Sequence, residues 1–166
     1  MRRKLFALLT AVVVLSVTVS PAFAQSIRIT LTGFRLGSLI ADGKVRLTHT
    51  HPEDTHITLH ASGTADVTCS DGHTTWVVEG AHVEATGYTT VWAGQFNHRG
   101  LAHFTVETED PTPVYDVCGG HPVHSVGFVY WDYASVAAQA GDLYTQQNFR
   151  CETTPECVTC KRVRGN

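Results

Sequence analysis

The sequence predicts an all-β chain of antiparallel strands, and three observations carry the prediction. Apolar and polar residues alternate with period two in one run after another. Turn signals rich in Gly, Pro and Asp separate the runs. Thr and Val are abundant, as pleated strands prefer, and no window holds a helical period. Many short strands at this spacing point to an antiparallel β-sandwich of immunoglobulin-like type, stabilised by disulfides among its five cysteines.

The first element is a leader. Arg2, Arg3 and Lys4 precede an uncharged apolar run over 5–20, Pro21 breaks it, and Ala22-Phe23-Ala24 supplies a small-x-small cleavage pattern. The run is shorter than the roughly 20 apolar residues of a spanning helix. Residues 1–24 therefore read as a signal peptide, and the mature chain as secreted, extracellular and free of a membrane span. Of the 166 residues 142 remain, enough for one core. The leader removes three basic residues, leaving nine Lys and Arg against fifteen Asp and Glu, a net charge of −6 with neutral His. Such a balance argues against a nucleic-acid partner. Protonating all ten histidines would bring the charge to +4, a reversal expected in mildly acid conditions.

The β-sandwich is expected over 25–151. Ile27, Ile29 and Leu31 alternate with Arg28, Thr30 and Thr32; Val45 and Leu47 alternate with Lys44, Arg46 and Thr48. Ile57, Leu59 and Ala61 alternate with His56, Thr58, His60 and Ser62, and Ala65, Val67 and Cys69 with Thr64, Asp66 and Thr68. Further strands are expected at 75–79, 83–92, 101–108, 125–133, 135–140 and 143–151, the last two as a hairpin. Turns fall at Asp42-Gly43, Asp71-Gly72, Arg99-Gly100, 111–113, Gly119-Gly120 and Gly141-Asp142. If the runs at 45–49 and 57–61 pair, their apolar faces meet in the register 45 with 61, 47 with 59, 49 with 57. Residues 152–166 are polar, contain Cys157 and Cys160 and end in Lys161, Arg162 and Arg164. They read as a basic tail outside the sandwich.

Five cysteines in an exported chain are mostly oxidised and leave one over. Two pairs and a free thiol can be arranged in 15 ways. The preferred pairs are Cys69 with Cys118, both in the folded body, and Cys151 with Cys157 or Cys160. The odd thiol is then available for an intermolecular disulfide.

Two clusters carry candidate chemistry. His49, His51, Glu53, Asp54 and His56 fall at one expected hairpin tip. The trio His51, Glu53 and His56 suits Zn²⁺ or Cu²⁺, against the plainer reading of a solvated polar hairpin. The aromatics Trp76, Tyr88, Trp92, Phe128, Tyr130, Trp131 and Tyr133 form the second cluster. Period two puts Phe128 and Tyr130 on one face and Val129, Trp131 and Tyr133 on the other. One set is core; the other is free to stack on sugars or anchor a protein. Cys157-Val158-Thr159-Cys160 lacks the βαβ setting of a redox motif and the His of a haem site, and reads as structural. No G-x-S-x-G, phosphate loop or HExxH is present. The leading expectation is a non-catalytic secreted protein that binds an extracellular protein or glycan or serves as a structural component. A Zn- or Cu-binding protein and a carbohydrate-binding module are the alternatives, and no resident cofactor is required.

The stretch Gly63-Thr64-Ala65-Asp66-Val67-Thr68-Cys69-Ser70-Asp71-Gly72 resembles a group of small secreted bacterial β-sandwich proteins. They share a G-T-A-x-V-T-C stretch, a second Cys near a Gly/Pro turn, matched here by 118–122, and paired C-terminal strands, matched by 143–151. The resemblance implies bacterial export and the Cys69–Cys118 pairing. It carries over no catalytic residue.

Overall fold

The computed structural model describes residues 25–36, 38–48 and 52–163. The leader, His49, His51 and Arg164 lie outside the described residues. Ten strands follow in order: β1 Ser26–Arg35, β2 Ile40–Thr48, β3 Thr55–Ser70, β4 Thr75–Val91, β5 Leu101–Glu107, β6 Thr112–Pro113, β7 Val123–Val126, β8 Tyr130–Ala140, β9 Leu143–Thr153 and β10 Val158–Val163. All pairings are antiparallel. β1-β2-β5 form a three-stranded sheet; β10-β9-β8-β3-β4-β6 form the larger sheet, with β7 joined to β3 as its seventh strand. The all-β, antiparallel expectation holds, and no helix among the described residues is long and apolar enough to cross a membrane.

The sheets pack on one core. Ile29, Val45, Leu47, Phe104 and Val106 come from the small sheet, and Ile57, Leu59, Val67, Val83, Val136 and Phe149 from the large one. Burial alternates along β3 from Thr55 to Ser70 without a break. At about 25 cal/mol per Å² of apolar surface removed from water, this two-sided core supplies the main driving force for folding.

Several expectations are corrected. β2 and β3 do not form a hairpin. β2 pairs with β1 and β5, and β3 with β4, β7 and β8. Val45 and Ile57, Leu59 and Ala61 do share one apolar core, but they reach it from opposite sheets. Period two specifies which face is buried and leaves open whether the partner lies beside it or above it. Asp42-Gly43 is not a turn. It lies inside β2, where Gly43 pairs with Phe104 and Leu31. An added Cβ would sit 2.6 Å from Phe104 Cζ, so the glycine makes room for a ring.

The runs 56–62 and 64–69 are one strand, as are 75–79 and 83–92. The extra residue lies in β4: between the Ala65–Ala81 and Val67–Val78 pairs, Glu79 and Gly80 stand opposite Asp66 alone. The Asp66 carboxylate Oδ1 accepts from Gly80 N at 3.1 Å, and Gly80 has φ 62°, which glycine tolerates without strain. The run 125–133 is split into β7 and β8; Gly127 N donates to Asp66 O at 2.8 Å in the gap. β3 thus changes neighbour from β8 to β7 opposite the bulge in β4. β8 and β9 form the expected hairpin.

Residues 158–163 do not form a tail outside the sheets. Val158 and Cys160 turn inward and Thr159 and Lys161 outward, and β10 pairs with β9 as the sheet edge. Cys160 faces Cys151 directly in that ladder, and the two form a disulfide. The second disulfide joins Cys69 to Cys118 and pins the loop after β6 to the end of β3. Cys157 is free and exposed at the β9–β10 turn.

Candidate functional site

The outward side of the large sheet is built from the even-numbered residues of β3, β4 and β9 and the odd-numbered ones near the middle of β8. The ladders set them in rows across the strands. One row runs Tyr144, Gln139, His56, Thr90; the next runs Gln146, Ala137, Thr58, Tyr88. Asn148, Ser135, His60 and Thr86 follow, then Arg150, Tyr133, Ser62 and Glu84. Tyr130, Thr64 and His82 form the last. None of these side chains enters the core.

A bulge shapes this face. Ser62 pairs with Tyr133 but Gly63 pairs with Trp131, so Asp132 is skipped. Strict period two groups Tyr133 with Trp131. The skipped residue reverses that: Trp131 is 1% exposed in the core, and Tyr133 joins Tyr130 outside. The expectation of one aromatic set in the core and one outside is therefore met by Val129 and Trp131 against Tyr130 and Tyr133. Gly63 matches this packing, because a Cβ there would collide with the Tyr130 carbonyl, Oxygen to Cβ 2.4 Å.

The exposed rings on and beside this face include Tyr88 at 69%, Tyr144 at 60%, Tyr130 at 49% and Phe128 at 45%, the last two stacked edge to face at 5.1 Å. Polar groups between the rings are held in place. The Tyr144 hydroxyl donates to Gln146 Oε1 at 2.6 Å, and Gln146 Nε2 donates to Asn148 Oδ1 at 2.9 Å. His56 Nδ1 and Thr90 Oγ1 share a hydrogen bond of 3.1 Å. His60 and His82 flank Glu84, with Nε2 atoms 3.7 and 3.9 Å from its two carboxylate oxygens. Tyr88 and Tyr144 lie three strands and one row apart, on the order of 16 Å.

The candidate metal ligands disperse as far as they are described. His56 belongs to the outer face. Glu53 is exposed and its carboxylate lies against Gly141 in the β8–β9 turn. Asp54 instead accepts from Ala93 N at 2.8 Å. His51 lies outside the described residues. Among the described residues no group of three His, Cys, Asp or Glu side chains is placed to hold a metal ion.

Two residues of the face escaped the sequence reading. Tyr144 and Gln146 lie in a strand that was legible, but only the β8–β9 register aligns them with Tyr88. No protein-family model, curated protein or solved structure matches the chain.

Proposed function

We propose that this chain is an exported, non-catalytic β-sandwich of immunoglobulin-like type, akin to the small secreted bacterial proteins its 63–72 stretch resembles, and that it binds a glycan on the outer face of the large sheet. The observation that carries the reading is the make-up of that face. Highly exposed Tyr88 and Tyr144 are separated by the amides and hydroxyls of Gln146, Gln139 and Thr58, with small Ala137 between them. A pyranose has an apolar C–H face and a rim of hydroxyls. A tyrosine ring stacks on the first while amides and imidazoles bond the second. A protein partner calls for a contiguous apolar centre, and here the rings are interrupted by polar rows. Export accords with the 1–24 leader and with the two disulfides, which persist in oxidising compartments.

The test is binding of the purified mature protein to a glycan array, followed by affinity electrophoresis in the polysaccharides that score. Tyr88→Ala and Tyr144→Ala are each expected to weaken binding about tenfold or more, as loss of an aromatic anchor does. Their unfolding curves should stay within about 0.5 kcal/mol of the parent, because both rings are exposed. A silent array, variants that bind like the parent, or turnover of the bound glycan would each overturn the reading.

A further inference from the structure

The β1 edge carries a second feature, independent of the glycan reading. A groove of about 760 Å³ runs under β1, between it and the β9–β10 edge of the large sheet. Its walls include half-buried Ile27, Leu31 and Phe34 and buried Phe149; its rim carries Arg28 and Arg162, and among the described residues no carboxylate lines it.

The direction of the backbone groups on this edge follows from two separate hydrogen bonds. Leu47 N donates to Gly100 O at 2.8 Å, on the β5 side of β2. The odd residues of β2 therefore turn their backbone groups toward β5 and the even ones toward β1. In an antiparallel ladder, directly opposed residues exchange both bonds or neither. Arg28–Arg46 and Thr30–Lys44 are then the bonded pairs, and Ile27, Ile29 and Leu31 point to the open edge. The Ile29 carbonyl gives the same direction: it accepts from the Gln147 side-chain amide at 2.8 Å, on the side away from β2. The outward groups of Ile27 and Leu31 are left as a template for another strand.

We propose that β1 accepts an added strand from an extended peptide segment in which apolar and acidic residues alternate. The pleat places the side chains opposite Ile27, Ile29 and Leu31 over the groove, where apolar ones cover Leu31, Phe34 and Phe149. The intervening residues fall on the Arg28 side, and the segment's end reaches Arg162. A stretch of six residues covers 26–31, ahead of the bulge between Leu31 and Gly33. Charge selects this occupant over a second copy of the chain, which would bring Arg28 and Arg162 to an edge that offers no carboxylate.

The experiment uses the mature protein with both disulfides intact and Cys157 alkylated. The probe is a labelled, end-blocked heptapeptide alternating Glu with Val and Ile. Controls are the same peptide with alternate backbone nitrogens methylated, and one with Lys in place of Glu. The acidic peptide should bind, and each control should bind at least tenfold more weakly. The double variant Arg28→Glu/Arg162→Glu should lose at least tenfold for the acidic peptide, while Tyr88→Ala leaves it unchanged. Hydrogen exchange at the Ile27, Ile29 and Leu31 amides should slow on binding. No binding, equal binding of the methylated peptide, an unaffected double variant, or protection elsewhere than β1 would overturn the proposal. Concentration-dependent self-association that protects the β1 amides without peptide would overturn it in favour of a second copy.

Discussion

On the β5 flank the chain itself crosses between the sheets. Thr108 N donates to Leu39 O beside the small sheet, Glu109 N to Thr86 O in β4 and Val114 N to His82 O, at 3.0, 3.0 and 3.1 Å. The crossover then enters β6 and the loop tied down by Cys69–Cys118. On the β1 flank the contact between sheets is made by side chains, with Gln147 reaching the Ile29 carbonyl, and the nearby disulfide joins two strands already paired. A flank closed by continuous backbone pairs its N–H and carbonyl groups and leaves little surface to a partner. A flank bridged by one amide keeps an edge open. The same core supports both, so the difference lies in connectivity and not in hydrophobicity.

The largest test of this contrast concerns the disulfides. Cys69 and Cys118 are 49 residues apart, Cys151 and Cys160 only 9. Loop-closure entropy gives about 4 kcal/mol for the first and about 2.6 for the second. Denaturant unfolding of Cys69→Ala/Cys118→Ala should therefore show the greater loss, and equal losses would break the contrast. Next comes Gly87, whose ideal Cβ would fall 1.9 Å from the Glu107 carbonyl oxygen of the crossover. Gly87→Ala should cost about 2–3 kcal/mol through overpacking against backbone; Gly94→Ala, with open space around it, should not. On the open flank, Gln147→Ala removes the bridge and strands the Ile29 carbonyl, at a cost of about 1–2 kcal/mol by the same measurement.

The smallest expected effect is electrostatic and confined to the small sheet. Asp42 accepts hydrogen bonds from Arg35 on β1 and Thr105 on β5, and the Arg35 bond first, then the Thr105 bond, holds its carboxyl below the ordinary value. A carboxyl depressed by folding stabilises the native state above its unfolded value, near pH 3.9. That contribution is lost as pH falls through the lower folded value. Asp42→Asn should thus flatten the acid limb of a stability–pH curve without altering its shape above pH 5. An unchanged acid limb would remove the Arg35–Asp42 pair from the account.

Burial was legible along most of the chain because alternation encodes it directly. Ile57, Leu59, Ala61 and Cys69 are buried in β3 and His56 and His60 are turned outward, in keeping with their parity. Neighbours were not legible, since the alternation of 45–47 and 57–61 suits a hairpin and a face-to-face packing equally. Bulges were not legible either. Nothing local in Trp131-Asp132-Tyr133 announces that one residue is skipped, and it takes the break in the β3–β8 register to send Tyr133 outside. The candidate face suffered on both counts: Tyr88 was singled out, but its alignment with Tyr144 and Gln146 exists only in the assembled sheet.

The pleat of β3, β4, β8 and β9 sorts each strand into two sets of side chains that do not touch. Substitutions at positions such as 58, 86, 88, 137 or 146 can accumulate without disturbing Ile57, Val83 or Val136 beneath them. The outer face can therefore change its chemistry while the scaffold stays as it is. The exceptions are the two bulges, at Glu79-Gly80 in β4 and at Asp132 in β8: deleting one residue there would shift parity and carry half a strand from one set to the other. These two positions are where diversification of the surface and preservation of the interior stop being separable.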